Sequence, residues 1–166
     1  MKTINKILVV LIMVVFVMVI AIRPLGSIVL AGPTNINEEE IETETETELP
    51  YSADDFYELS HLIQAEAGYT YWEMMAGVGS VVLNRVASDK FPNTVYDVIY
   101  QPGQYSTASY LASQVPTQEV LDVTDYLLRN GSDYPADVLY QANFAQGSGV
   151  YMTLSTSYST MYFCYG

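Results

Sequence analysis

The apolar residues of this chain change their spacing at residue 51. Before that point Ile7 to Ile22 is apolar throughout and follows a basic start carrying Lys2 and Lys6. Arg23-Pro24 interrupts the run, and Leu25 to Ala31 is again mostly apolar. The run is somewhat short for a full membrane span and long for the apolar core of a signal peptide. Val29-Leu30-Ala31 offers a small-residue cleavage site, so residues 1–31 read either as a cleaved signal peptide or as a retained N-terminal membrane anchor. Lys2 and Lys6 stay inside in both cases, and the rest of the chain is exported.

After residue 51 the apolar positions take up helical spacing. Ser52 and Asp55 form a Ser-x-x-Asp capping box. The helix behind it carries Phe56, Leu59, Ile63 and Glu66 at i, i+3, i+7 and i+10 and ends near Gly68. A second helix runs from about 72 to 86 and is apolar nearly all round, which predicts a central buried helix. Ala76, Gly77, Gly79 and Ser80 within it predict a close neighbour, and Arg85 in its last turn suits the helix dipole. Phe91-Pro92-Asn93 reads as a turn, Val95 to Tyr100 as a short helix, and 101–113 as a loop rich in Gly, Ser and Gln. A third long helix follows Pro116, with Val120, Leu121, Thr124, Leu127 and Leu128 on one face and Asn130-Gly131 as its stop. Val138-Leu139-Tyr140, Gly149 to Ser155 and Thr160 to Tyr165 are rich in β-branched and aromatic residues and read as short strands. The predicted class is α+β, a mainly helical core with short C-terminal strands.

Charge separates the two regions further. The stretch 32–50 holds Glu38-Glu39-Glu40 and a Glu-Thr alternation from Glu42 to Glu48. It cannot build a core and reads as a disordered, self-repelling linker. From Tyr51 onward there are twelve acids against Arg85, Lys90 and Arg129, a net charge of −9. This excludes nucleic acid as a partner, since its binding depends on Lys and Arg. It also removes any electrostatic pull toward anionic wall polymers. Recognition must come from shape, hydrogen bonds and stacking, for which fifteen tyrosines and Trp72 are available after residue 50. Cys164 is the sole cysteine and forms no intramolecular disulfide. It reads as core packing.

Glu66 stands out chemically, as an acid on an apolar stripe and in the last turn of a helix. Burial and the negative end of the dipole both favour a protonated carboxyl, the environment of a general acid. A carboxylate that pairs with an Arg or a backbone donor and only holds the core fits the same pattern. Glu73 in the first turn of the second helix is either a helix-capping acid or a second carboxylate. His61 is the only histidine, too few for a catalytic zinc shell. A Cys-His peptidase would require Cys164 and His61 to meet.

Three segments bear on function together: Leu62-Ile63-Gln64-Ala65-Glu66-Ala67-Gly68, Val81-Val82-Leu83-Asn84-Arg85-Val86, and Phe91-Pro92-Asn93-Thr94-Val95-Tyr96-Asp97-Val98-Ile99-Tyr100-Gln101-Pro102-Gly103-Gln104-Tyr105-Ser106. In order and spacing they resemble the cell-wall hydrolase family of the spore-cortex-lytic (SleB) type, with a weaker likeness continuing to the C-terminus. The resemblance implies a lysozyme-like, lytic-transglycosylase-like α+β catalytic domain over 51–166. It implies cleavage of peptidoglycan glycan strands between N-acetylmuramic acid and N-acetylglucosamine; the low count of ligating residues predicts no metal, and a monomer without cofactor is expected. Glu66 corresponds to the family's catalytic acid. Gln104, Tyr105 and Ser106 correspond to a cleft wall, with Tyr105 in place of a Phe. Trp72 and Glu73 fall on a Tyr-Glu position of the family and join the candidate substrate contacts, as do Tyr69 and Tyr71 by proximity.

A lytic transglycosylase needs one carboxylate, whereas a hydrolytic muramidase needs two, with Glu73 the available second. An N-acetylmuramoyl-L-alanine amidase and a catalytically weakened peptidoglycan-binding module are the remaining alternatives. The chain departs from the family at Gly68-Tyr69-Thr70, where many members carry Arg-Gly-Glu, and at Thr160-Met161, where Asn-His often precedes the last strand.

Overall fold

The computed structural model describes residues 49–166. The predicted signal or anchor and all but the last two residues of the acidic linker lie outside them. Helix α1 (Ala53–Ala67) begins at Ser52, whose Oγ accepts from the Asp55 amide at 3.0 Å and donates to the Asp55 carboxylate at 2.8 Å. This is the predicted cap, with the acid returning to the hydroxyl. The helix closes at Gly68, followed by a tight turn in which Thr70 bonds back to the Ala67 carbonyl through both its amide and its hydroxyl.

Helix α2 (Trp72–Ala87) is the centre of the fold. Met74, Met75, Val78, Val81 and Val82 are almost fully buried, and each such side chain stabilises the fold by roughly 1.5–3 kcal/mol. Its glycines are where neighbours approach. A Cβ on Gly77 would come within 2.5 Å of Phe163 Cζ and of Tyr134 Oη, and one on Gly79 within 2.4 Å of Leu127 Cδ1. Polar residues near its end tie down the rest of the chain. Asn84 Nδ2 donates to the Pro135 and Val138 carbonyls at 2.8 and 3.1 Å, and Arg85 Nε donates to the Leu139 carbonyl at 2.7 Å.

Helix α3 (Val95–Tyr100) is capped by Thr94, which accepts from the Asp97 amide at 3.0 Å. The next stretch departs from the loop predicted over 101–113. Gly103, at φ +82, makes a turn, and Ser106–Ser113 then forms a 3-10 helix kinked at Tyr110. Its small polar residues carry little periodic signal. Tyr105, Thr107 and Leu111 are nonetheless buried in the core, so tertiary packing overrides local preference. Helix α4 (Gln118–Asn130), capped by Thr117 and ended at Gly131, buries Val120, Val123, Thr124 and Leu127. Gln64 Oε1 on α1 accepts from the Thr117 amide at 2.8 Å and joins the two helices.

Strands β1 (Val138–Ala142), β2 (Gly149–Ser155) and β3 (Thr160–Tyr165) form an antiparallel sheet in the order β1-β3-β2. Phe163 is fully buried against α2, and Gln141 is its cross-strand partner. The class is α+β, as the sequence predicts. Cys164 is a buried free thiol. Among the described residues no helix is long and apolar enough to cross a membrane.

The contact at Gly77 generates a test. Gly→Ala in a helix normally gains about 1 kcal/mol, but here the added methyl meets a buried ring, and overpacking costs about 1–3 kcal/mol. Gly77→Ala should therefore lower the thermal unfolding midpoint; a raised midpoint would contradict this packing.

Candidate active site

The α1 stripe is fully buried at Leu59 and Ile63. One turn further on, Glu66 reaches the rim and is only half-buried. Two hollows there take the place of core packing, so the acid does not bear the full desolvation that its stripe position predicts. Its hydrogen-bond partner is neither an Arg nor a backbone amide. The Thr107 hydroxyl, itself buried in the 3-10 segment, donates to Glu66 Oε1 at 2.5 Å.

Two hollows adjoin the acid. One, of about 200 Å³, is formed by the end of α1, the Gly68–Thr70 turn, Gln114 and the β2–β3 turn at Thr156, Tyr158 and Ser159. The other, of about 390 Å³, is formed by Ser106, the end of β1 from Gln141 to Asn143, and Ser159 to Met161. Glu66 and Ser159 line both, and among the described residues Glu66 is the only carboxylate lining either. Tyr69 and Tyr158 stand at the first hollow 85% and 89% exposed, with their ring faces available. The two departures from the family pattern, Gly68-Tyr69-Thr70 and Thr160-Met161, fall one on each hollow.

The candidate residues therefore separate. Ser106 joins Glu66 at the larger hollow. Tyr105 lies behind it as a core residue, with the Arg85 guanidinium 5.3 Å from its ring centroid and its own hydroxyl unpartnered. Burial pushes the Tyr105 phenol up to about 12; Arg85 opposes the rise, and the charge of Glu66 adds to it. Gln104 is partly buried, and its backbone N–H donates to the Gln101 backbone carbonyl at 3.1 Å. Trp72 packs against the Tyr126 ring of α4 with centroids 5.8 Å apart, and Glu73 is exposed in the first turn of α2. Gln104, Trp72 and Glu73 line neither hollow. Tyr71 donates from its hydroxyl toward the Ser155 carbonyl at 3.4 Å. His61 is engaged on its own helix, where Nδ1 lies 2.7 Å from the Tyr57 carbonyl and the ring lies 3.9 Å from that of Tyr57. Among the described residues no three His, Cys, Asp or Glu side chains cluster as metal ligands.

Sequence reasoning passed over Thr107, Gln141 and Tyr158. Thr107 directly follows the Gln104-Tyr105-Ser106 segment, and its neighbourhood was the available signal. Nothing local distinguishes Gln141 or Tyr158, which reach the site only through the sheet.

A loop tyrosine would tolerate truncation, but a core tyrosine does not. Tyr105→Ala should cost about 3–5 kcal/mol in chemical denaturation, the range for emptying an aromatic core site. Tyr105→Phe should leave stability unchanged or raise it, since the hydroxyl is unpartnered. The raised phenol pKa makes this residue's contribution complete below about pH 10, the unfolded value. It is lost as pH climbs through about 12. An alkaline absorbance titration should show the same number of tyrosines ionising near pH 10 in wild type and in Tyr105→Phe, with one more ionising near pH 12 in wild type; an equally stable Tyr105→Ala variant would contradict the assignment.

Comparison with known proteins agrees with this architecture. Residues 71–161 match the family model described as Cell Wall Hydrolase, a span that begins just after Glu66. Two curated relatives, both spore cortex-lytic enzymes of Bacillus cereus, are 33% identical over 99 residues, covering 56% of this chain and 36% of theirs. The chain thus spans about a third of the length of those relatives. The catalytic domain of the germination-specific lytic transglycosylase SleB from Bacillus anthracis superposes with a TM-score of 0.54 at 22% identity, over 69% of this chain and 96% of that one. The SleB catalytic domain of Bacillus cereus gives 0.55 at 23%, over 69% and 91%. The fold is that of the SleB catalytic domains, and the chain belongs to the Cell Wall Hydrolase family.

Proposed function

We propose that this protein is an exported lytic transglycosylase that cuts peptidoglycan between N-acetylmuramic acid and N-acetylglucosamine, with Glu66 as its only catalytic acid/base. One observation carries the reading: among the described residues Glu66 is the sole carboxylate lining either of the two hollows, and it lines both. A glycan laid through both would present its linking oxygen to this acid. Spore cortex-lytic enzymes and a lytic transglycosylase among the similar proteins support it.

The Thr107 hydroxyl donates to Oε1, which leaves Oε2 as the oxygen for proton exchange with substrate. Glu66 gives its proton to the glycosidic oxygen as the bond to C1 breaks. The resulting carboxylate, steadied by the Thr107 hydroxyl, accepts the proton of the muramic C6 hydroxyl while O6 closes onto C1. The carboxyl returns to its starting state, and no second acid or water is consumed. Tyr69 and Tyr158 offer stacking surfaces to neighbouring sugars, which suits a domain without electrostatic attraction for the wall. The N-terminal apolar segment delivers the domain to the outer face of the plasma membrane or to the cell wall, where it acts as a monomer.

Glu66→Gln keeps the shape but cannot transfer a proton, so turnover of purified peptidoglycan should fall by about 10²-fold or more with the fold intact. Products of the wild type should end in 1,6-anhydromuramic acid by mass spectrometry. Reducing-end muramic acid would indicate hydrolysis instead, and full activity of the Gln variant would remove Glu66 from the chemistry. Thr107→Val should lower turnover by about tenfold, the scale of one hydrogen bond to a charged group, and Thr107→Ser should restore it. Equal turnover in Thr107→Val would mean that this hydroxyl does not steady the acid.

A further inference from the structure

We propose that Gln141 determines substrate specificity by reading the 2-acetamido group of the sugar seated in the larger hollow. The inference rests on the glycan-cleaving reading of Glu66 and adds what that site recognises.

Polar residues near the C-terminal end of α2 set the path that carries Gln141. Asn84 and Arg85 bind the carbonyls of Pro135, Val138 and Leu139 and fix the path of β1. Two residues on, Gln141 pairs across the ladder with Phe163. Directly paired residues share a face of the sheet, and Phe163 packs on α2. Gln141 therefore stands on the helix-facing side, where it lines the hollow of about 390 Å³ that Glu66 also lines. Both its amide atoms, Oε1 and Nε2, are buried without a hydrogen-bond partner. A buried polar atom without a partner costs about 1–3 kcal/mol, and native proteins seldom leave both ends of one amide so. Gln64, at the smaller hollow, differs because its Oε1 is already bonded to Thr117.

A ligand that satisfies Gln141 must offer a donor and an acceptor together. An amide does this, accepting from Nε2 and donating to Oε1 in a paired arrangement. The shared chemistry fits a sugar acetamido group or a stem-peptide amide. The acetamido group is favoured because it hangs from C2, one carbon from the C1 that carries the bond facing Glu66. A site built to hydrogen-bond a group also rejects the analogue that lacks it, because its own polar atoms then stay unpaired.

The test compares the full chain with its Gln141→Met variant on native, chemically de-N-acetylated and re-N-acetylated peptidoglycan. Wild type should be slower by about tenfold or more on the de-N-acetylated wall and recover after re-acetylation. Gln141→Met should be about tenfold slower than wild type on the native wall and nearly indifferent to acetylation, with its unfolding midpoint unchanged or raised. A lowered midpoint with discrimination intact would overturn the proposal and make Gln141 structural. Calorimetry in a Glu66→Gln background separates this from the acid's role. A peptide-free N-acetylated glycan oligosaccharide should bind, and adding Gln141→Met should weaken it about tenfold. Dependence on Gln141 only for peptide-bearing fragments would assign the stem amide and overturn acetamido reading. If Glu66→Gln stayed fully active, the catalytic reading would fail while the binding result still judged Gln141.

Discussion

Phe163 of β3 seats its ring against the bare backbone of Gly77 in α2, and the separation between helices and sheet follows from that contact. A single added methyl there would lie 2.5 Å from the ring. Helix α2 can accept such an approach because it is apolar on nearly every side and has no solvent face to protect. Asn84 and Arg85 then bind the carbonyls that lead into β1, so the same helix sets both the distance and the path of the sheet. The larger hollow is what remains between the end of α1, carrying Glu66, and the ends of β1 and β3.

The acid itself is held with moderation. It sits at the rim of the core, half-buried, with one oxygen engaged by a buried hydroxyl. A fully buried, unpaired carboxylate would cost far more. An Arg partner would hold it ionised and unable to donate. A neutral hydroxyl orients the group without adding a charge beside it, which suits the acid/base role proposed for it. With a net charge of −9 over the domain, recognition of the proposed glycan would fall to amides, hydroxyls and ring faces, and residues lining the hollows carry those groups.

Much of the fold was legible because its signals are local. The Ser52 cap, the all-round apolar character of α2, the Thr94 and Thr117 starts and the β-branched strands each announce themselves within a few residues. The 3-10 segment did not, because Ser, Thr and Ala carry no period and its structure comes from burying Tyr105, Thr107 and Leu111. For the same reason Tyr105 reads as a loop contact in sequence and as core in space. Glu66 was legible from its place on a stripe at a helix end. The opposite walls were not, since Gln141 and Tyr158 lie 75 and 92 positions further along and meet it only through the sheet. Trp72 and Glu73 are close to Glu66 in sequence, yet the turn at Gly68–Thr70 leads the chain away, and neither lines a hollow.

The most direct test of this account is a crystal structure of the Glu66→Gln variant soaked with an N-acetylated peptidoglycan oligosaccharide. The account predicts sugars in both hollows, with the linking oxygen within hydrogen-bond distance of residue 66. An oligosaccharide bound elsewhere on the domain, with both hollows free of sugar, would contradict it.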